Sequence, residues 1–431
     1  MDYKKQTSLH LSLPSYDQYA IVRPVMESKI DTINEGTATS PQGFHAGATA
    51  AEIKKGSSDK LDLGILFSQE PCVTAGLFTT NRIKSAPVLL CQERLKKGRA
   101  AAVVVNSGCA NASTGKPGLA DAAEMAALTA KALGIDAEEV LVASTGVIGH
   151  RLPMERIKDG LNHISLSDNG GHDLARAMMT TDTVPKETAV AVSAEGLRFT
   201  IGGVVKGSGM IHPNLGTLLC FLTTDAAVAP EFLHEALRRA ADVSFNMVSI
   251  DGDTSPSDTL LLLANGMAGN LPISPGSPVA ELFQQVLERV CIHLAKAVAR
   301  DGEGATKLLE VTVNGAASKT NAALAARTIA SSPLWKAAVY GRDPNWGRVV
   351  AAVGRSGAEV KETSLDVYIG DIPVLKCGIP QPYAEPSVVQ VLERDPNYPL
   401  TADARRALQL QALEDWLEAR RAESQIEILL P

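Results

Sequence analysis

The segment GGVVKGSGMIHPNLGTLLCFLTTDA, residues 202–226, decides the fold because a glycine-rich loop in it runs directly into an apolar strand. The run LLCFLTT at 218–224 is continuously apolar at its start, which is typical of a strand buried on both faces. Gly216 and Thr217 stand at the entrance of that strand. Glycine can adopt backbone angles that are closed to other residues. The dipeptide therefore predicts a turn that presents one hydroxyl residue at the mouth of a buried strand.

That hydroxyl suggests self-cleavage. An intramolecular attack by the Thr217 hydroxyl on the preceding carbonyl would need strained geometry at Gly216, and it would leave Thr217 with a free α-amino group. Such an amine titrates near about 8 in model peptides, so part of it is an unprotonated base at neutral pH. A threonine whose own amine serves as the base is a competent nucleophile. On the dipeptide alone, an ordinary structural turn before a strand is the alternative interpretation.

Similar apolar runs recur along the chain and alternate with helical patterns. The strand-like runs are AAAVVVN (100–106), VLVAS (140–144) and TLLLLAN (259–265), with LDVYIGDIPVL (365–375) as a partly alternating, half-exposed strand. One helix is predicted from Pro230 to about Asn246. Another begins at an N-cap, Ser277, followed by Pro278, and stops at Asp301-Gly302. The pattern predicts an α/β protein with helices layered on mixed sheets.

The composition narrows the function classes. The chain has 431 residues, which suggests two lobes, and its net charge of −7 with mixed signs argues against a nucleic-acid partner. No run approaches the roughly 18 apolar residues of a membrane span, and the N-terminus lacks a secretory signal. The six cysteines are scattered without a CxxC pair, so we expect buried thiols in a reducing compartment and no zinc site. We expect a cytoplasmic enzyme.

Seven blocks of sequence, taken in order, resemble the ornithine acetyltransferase family, also called the bifunctional glutamate N-acetyltransferases of arginine biosynthesis. The cleavage-site block is KGSGMIHPNLGTLLCFLTTDA (206–226), although the family usually has Ala-Thr where this chain has Gly216-Thr217. The resemblance covers roughly residues 40–380 and implies a self-cleaving, N-terminal-nucleophile fold with no cofactor and no metal. The other blocks are NSGCANASTG (106–115), STGVIG (144–149), MTTDTVPK (179–186), FNMVSIDGDTSPSDT (245–259), DGEGATK (301–307) and GRDPNWGR (341–348).

The resemblance assigns roles to individual residues. Thr145 and Gly146 correspond to the pair that holds the acyl oxyanion, and a hydroxyl with a backbone N–H suits a developing negative charge. Without the resemblance, this pair reads as a tight glycine turn after a strand. The substrate contacts would come from Thr180, Lys206, Thr217 and Glu303. Lys206 suits an α-carboxylate, and Glu303 suits the cationic amino group of ornithine.

The implied reaction passes an acetyl group from N2-acetylornithine to Thr217 and then to glutamate, and some members of the family also accept acetyl-CoA as donor. Cleavage would divide the chain into an α chain (37–216, behind a polar extension, 1–36) and a β chain (217–393, followed by an atypical tail, 394–431). The family suggests a heterotetramer with two copies of each chain.

The match ends near Val391, after which the terminal Asn- and Thr-containing motif of the family is absent and a charged amphipathic helix with a short strand-like end follows. That motif ordinarily helps to hold substrate. Two alternatives therefore stay open: an N-terminal-nucleophile amidohydrolase or aminopeptidase, which shares the same self-cleavage logic, and an inactive homologue with an altered C-terminus. Transfer and hydrolysis differ in whether water reaches the acyl-enzyme, which depends on how well the pocket closes.

Overall fold

The main sheet is mixed. A computed structural model of the chain describes residues 28–54, 60–194, 196–212 and 218–393, and the backbone of 424–429. Within these ranges, nine strands form one sheet in the order β1-β6-β7-β8-β9-β3-β4-β5, with β2 paired to β3. The β4/β5 and β8/β9 pairs are parallel and the other pairs are antiparallel. The strands are β1 (Ser28–Thr32), β2 (Phe44–Thr49), β3 (Leu63–Phe78), β4 (Arg99–Asn106), β5 (Val140–Ser144), β6 (Lys186–Ala194), β7 (Leu197–Lys206), β8 (Leu219–Thr224) and β9 (Thr259–Ala264).

Helices pack on this sheet and bury its strands on both faces. Along β8, Leu219 and Phe221 belong to a core shared with four helices, whereas Cys220 and Leu222 belong to a core shared with two others. A strand buried in this way needs apolar residues at consecutive positions, which explains the run in the sequence. The first four helices are α1 (Ala86–Arg94), α2 (Gly115–Leu133), α3 (Met154–Leu161) and α4 (Gly171–Ala177), and the other two are α5 (Pro230–Asp242) and α6 (Ala280–Arg300).

A smaller unit follows α6 and has its own core around the buried Trp335. Its sheet has five strands in the order β10-β14-β11-β12-β13. The strands are β10 (Leu309–Asn314), β11 (Asp366–Ile369), β12 (Ile372–Lys376), β13 (Ile379–Pro380) and β14 (Ser424–Leu429). The helices are α7 (Lys319–Ala330), α8 (Pro333–Gly341), α9 (Gly347–Gly354) and α10 (Glu385–Glu393). The layered α/β class predicted from the sequence is confirmed.

Three predicted elements need correction. Helix α6 begins at Ala280 rather than after Ser277, because the Ser277 hydroxyl donates to the Ser274 carbonyl (2.8 Å) within a preceding turn. Helix α5 ends at Asp242, four residues before the predicted end at Asn246. The single strand expected at 365–375 is a hairpin, β11 and β12, which turns at Gly370 with φ +59°.

Two findings concern the ends of the chain. Strand β1 lies inside the segment predicted to be a polar extension, and it pairs with β6. Strand β14 lies inside the atypical tail and pairs in parallel with β10.

Five of the six cysteines are buried as expected, but Cys377 is exposed. None of the helices in the described ranges has the length and apolarity that a membrane span requires.

Candidate active site

One cleft of about 570 Å³ brings together most of the residues that the sequence singles out. Thr145 and Gly146 follow β5, Lys206 ends β7, and all three line the cleft. Thr180, which follows α4, and Glu303, which follows α6, complete the set. Gly216 and Thr217 lie outside the described residues. Strand β8 follows these residues, and its first residue, Leu219, pairs with Lys206 at the end of β7.

Thr145 and Gly146 offer two donors at the cleft wall. The Thr145 N–H donates to the Asn106 carbonyl (3.0 Å), which ties the end of β5 to the end of β4. Gly146 has φ +129°, and a Cβ there would stand 2.3 Å from the Gly108 carbonyl carbon, so only glycine fits. Within the described ranges the Gly146 N–H reaches no acceptor. A backbone N–H and a neighbouring hydroxyl can together stabilise an oxyanion, which is the role predicted for this pair.

Lys206 lies behind these donors and orients hydroxyl groups. Its ammonium donates to the hydroxyl oxygens of Thr180 (2.8 Å) and Thr145 (3.3 Å). Because the Thr145 oxygen accepts this bond, its own proton remains available for donation into the cleft. Burial lowers the pKa of the Lys206 ammonium, whereas Asp182, whose carboxylate lies 3.9 Å away, opposes that shift. Among the described residues, these two bonds leave the third N–H of the ammonium able to donate to an anionic group.

A buried ion network supports Lys206, and sequence reasoning missed it. The Lys186 ammonium donates to Asp182 (2.7 Å) and to Asp301 (2.5 Å), and the side chains of all three are almost fully buried. Burial alone would raise the pKa of Asp182, but Lys206, Lys186 and the Gly207 N–H outweigh it and lower that pKa to about 2. Asp182 and Asp301 both lie in sequence blocks that resemble the family. Their positions in the sequence, however, do not indicate that both carboxylates contact Lys186.

The same network places Glu303. The Ser208 hydroxyl donates to the Asp301 carbonyl (2.7 Å), and the Glu303 N–H donates to the Ser208 carbonyl (2.6 Å). The Glu303 carboxylate occupies the space beside Gly209, where a Cβ would stand 2.2 Å from Oε2. Glu303 is exposed and also borders a second, mostly apolar cleft of about 650 Å³. An exposed carboxylate at this rim can meet a cationic group of a substrate.

The Asp251 loop has a structural role. The Asp251 carboxylate accepts bonds from the N–H groups of Met210, Ile211 (2.9 Å) and Asp253 (3.0 Å), so it holds the loop that precedes the predicted cleavage site. Within the described part of the chain, no cluster of three or more His, Cys, Asp or Glu side chains could hold a metal ion.

Replacing Thr145 by valine is expected to lower kcat by about 10²–10³-fold, because the predicted oxyanion donor is lost while the shape of the side chain is kept. KM should change little, and Thr145→Ser should retain most of the rate. Steady-state kinetics on purified protein measure both. Thr129→Val is the matched control, since its buried hydroxyl donates to the Met125 carbonyl in α2. A rise in KM with an unchanged kcat would instead make Thr145 a ground-state contact.

Comparisons with known proteins find relatives over most of the chain. A model described as "ArgJ family" matches residues 45–405. An arginine biosynthesis bifunctional protein ArgJ from Dehalococcoides mccartyi is 54% identical over 353 residues, 82% of this chain and 87% of its own length. A protein of the same name from Symbiobacterium thermophilum is 51% identical over 370 residues, 85% of this chain and 92% of its own. Among solved structures, an ornithine acetyltransferase from Mycobacterium tuberculosis in complex with ornithine is 39% identical, covering 44% of this chain and 100% of that one with a TM-score of 0.40.

Proposed function

The chain belongs to the ArgJ family, and from that premise we propose that it transfers the acetyl group of N2-acetylornithine to glutamate through an acetyl ester on Thr217. Both predictions made from the sequence, the family and its acyltransferase role in arginine biosynthesis, are confirmed by these matches. The observation that carries the transfer mechanism is the convergence of Thr145, Thr180 and Lys206 through two hydrogen bonds at one cleft.

The chemistry begins with hydrolysis of the bond between Gly216 and Thr217: the Thr217 oxygen attacks the Gly216 carbonyl, the C–N bond breaks to give an ester and a free amine, and water then cleaves the ester to release the Gly216 carboxylate. The Thr217 oxygen then attacks the acetyl carbonyl, and the C–N bond to ornithine breaks. The hydroxyl proton passes through the Thr217 amine to the departing nitrogen. The amino group of glutamate next attacks the ester and gives its proton back to Thr217 by the same route. Thr145 and Gly146 stabilise the oxyanion in both steps.

Substrate recognition follows from the charges around the cleft. The buried Lys206 would hold the α-carboxylate that acetylornithine and glutamate share, with Thr180 beside it. Glu303 at the exposed rim would meet the side-chain ammonium of ornithine. The cleft would thus bind the α-carboxylate common to both substrates at Lys206 and the ammonium that only ornithine carries on its side chain at Glu303.

The assembly we propose has two chains that remain in one sheet. Strands β7 and β8 lie on opposite sides of the proposed cleavage site, and β8 pairs along its whole length with residues 201–206 of β7, so the α chain ending at Gly216 and the β chain starting at Thr217 would stay interlocked. Two copies of each would form a heterotetramer in the cytoplasm. A denaturing gel should show two bands near half mass, and native mass measurement should give the tetramer.

The deciding experiment supplies N2-acetylornithine to the purified protein with and without glutamate. Transfer predicts N-acetylglutamate and ornithine together, and almost no acetate when glutamate is withheld. Acetate release without N-acetylglutamate would contradict the proposal and favour an amidohydrolase. Acetyl-CoA replaces acetylornithine in a parallel assay, which tests whether the protein also starts the pathway from that donor.

A further inference from the structure

The cleft carries more positive charge than the proposed reaction uses. The cations that line it in the described ranges are Lys54, Lys60 and Lys206. Lys206 is buried and suits the α-carboxylate of both substrates, whereas Lys54 and Lys60 are exposed. Glu303 is the exposed negative charge of the same cleft. A substrate in this cleft therefore meets exposed charges of both signs.

A buried carboxylate fixes the backbone close to both exposed lysines. Asp62, which is 3% exposed, accepts the N–H groups of Ala51 (2.7 Å) and Ile53 (2.6 Å). The Asp62 carbonyl accepts the N–H of Ser107 (2.9 Å), which follows β4 at the cleft wall. Lys60 stands two positions before Asp62, so its side chain starts from backbone that is held against the cleft.

The Lys60 ammonium lies beside Thr180, one of the residues assigned to substrate binding. It donates to the Thr180 carbonyl (3.3 Å), and the hydroxyl of the same threonine accepts from Lys206 (2.8 Å). Among the described residues this bond leaves the other two N–H groups of Lys60 able to donate. Burial lowers the pKa of the Lys206 ammonium, and the positive charge of Lys60 adds to that shift. The two ammonium groups therefore act on the same part of the cleft.

The two amino acids that exchange the acetyl group differ in the charge of their side chains. Ornithine carries an ammonium and glutamate a carboxylate, whereas the α-carboxylate is common to both. A glutamate side chain placed beside Glu303 would bring two carboxylates together, which is unfavourable. Glutamate therefore needs a cation of its own, near the pair formed by Lys206 and Thr180.

We propose that Lys60 is a specificity-determining residue that binds the side-chain carboxylate of glutamate when glutamate attacks the acetyl-enzyme. This inference rests on the proposed function, because it concerns the second half of that reaction. The Lys60 ammonium contacts a substrate-binding residue, whereas Lys54 packs its stem near Gly108, where an added Cβ would stand 3.1 Å from the Lys54 Cβ. The same ammonium repels the side chain of ornithine and leaves Glu303 as its partner.

The test measures kcat/KM for each substrate separately, because in a two-step transfer each value reports one half-reaction. Lys60→Met is expected to lower kcat/KM for glutamate by about 10-fold, the size of one charge-assisted hydrogen bond. The value for N2-acetylornithine should not fall, and Lys60→Arg should keep the preference for glutamate. Because Lys60 is exposed, its variants should unfold at the wild-type midpoint.

Glutamine is the second probe, since its side chain has the shape of glutamate without the charge. The wild-type protein should prefer glutamate to glutamine as acceptor, and Lys60→Met should use the two with nearly equal kcat/KM. Added salt should lower kcat/KM for glutamate more in the wild-type protein than in Lys60→Met, because salt screens an exposed ion pair.

Lys97→Met is the matched control. Lys97 lies between α1 and β4, its side chain is 65% exposed, and it pairs with Glu138 (3.2 Å). It does not line the cleft. Its loss removes one exposed positive charge and should leave both kcat/KM values and the preference for glutamate unchanged.

An unchanged preference for glutamate in Lys60→Met would overturn the inference, as would a wild-type protein that uses glutamine equally well. Equal falls in kcat/KM for both substrates would also overturn it, because Lys60 would then only support Thr180 at the shared α-carboxylate. Loss of the preference in Lys54→Met but not in Lys60→Met would assign the carboxylate to the other lysine. Absence of acetyl transfer in the wild-type protein would instead refute the proposed function itself, so the two failures are distinguishable.

Discussion

Thr217→Ala is expected to give a single uncut chain of 431 residues and to lower acetyl transfer by about 10⁴-fold or more. The expected loss is this large because one residue supplies the attacking oxygen in both reactions and, after cleavage, the base as well. With alanine, the bond after Gly216 stays intact, so neither group forms. A denaturing gel and the assay for N-acetylglutamate measure the two effects on the same sample.

Thr217→Ser is the control for this substitution, since serine keeps both a hydroxyl and the possibility of a free amine. We expect it to cleave and to retain measurable transfer. Two bands from the alanine variant would show that the chain is cut by another group or at another bond. Full activity from an uncut alanine variant would place the nucleophile elsewhere in the cleft.

Lys186→Met is expected to lower the free energy of unfolding by about 3–5 kcal/mol, because it leaves two buried carboxylates without their shared cation. The Lys186 side chain is 1% exposed, so water cannot replace the lost hydrogen bonds to Asp182 and Asp301. Transfer should also weaken, since Asp182 accepts the N–H groups of Thr180 (3.1 Å) and Gly207 (2.7 Å) at the cleft. Urea unfolding followed by fluorescence measures the stability change.

Arg238→Met is the matched control, because Arg238 also contacts two carboxylates, those of Glu235 (2.7 Å) and Asp242 (2.9 Å), but all three side chains are half exposed. Solvent screens such pairs, so the unfolding curve should barely move. Equal unfolding midpoints for Lys186→Met and the wild-type protein would mean that the buried network contributes little to stability.

The strands of the main sheet were predictable because burial on both faces requires a continuous apolar run, which is visible in the sequence. The runs at 140–144 and 259–265 became β5 and β9 almost residue for residue, since a strand covered on both faces must be apolar at every position. The hairpin at 365–375 was predicted as one strand. A single glycine with positive φ reverses the chain there, and alternation alone does not indicate which glycine will do so.

The sequence by itself determined the family, the layered α/β class and the identity of the residues around the cleft, because each is carried by short contiguous blocks. Only the tertiary structure decided how these residues act on one another. Lys206 orients the hydroxyl of Thr145, 61 positions away, and Lys186 joins Asp182 to Asp301, which lies 115 positions beyond the lysine. Side-chain pairing depends on where the fold brings distant segments together, and neither spacing nor composition records that.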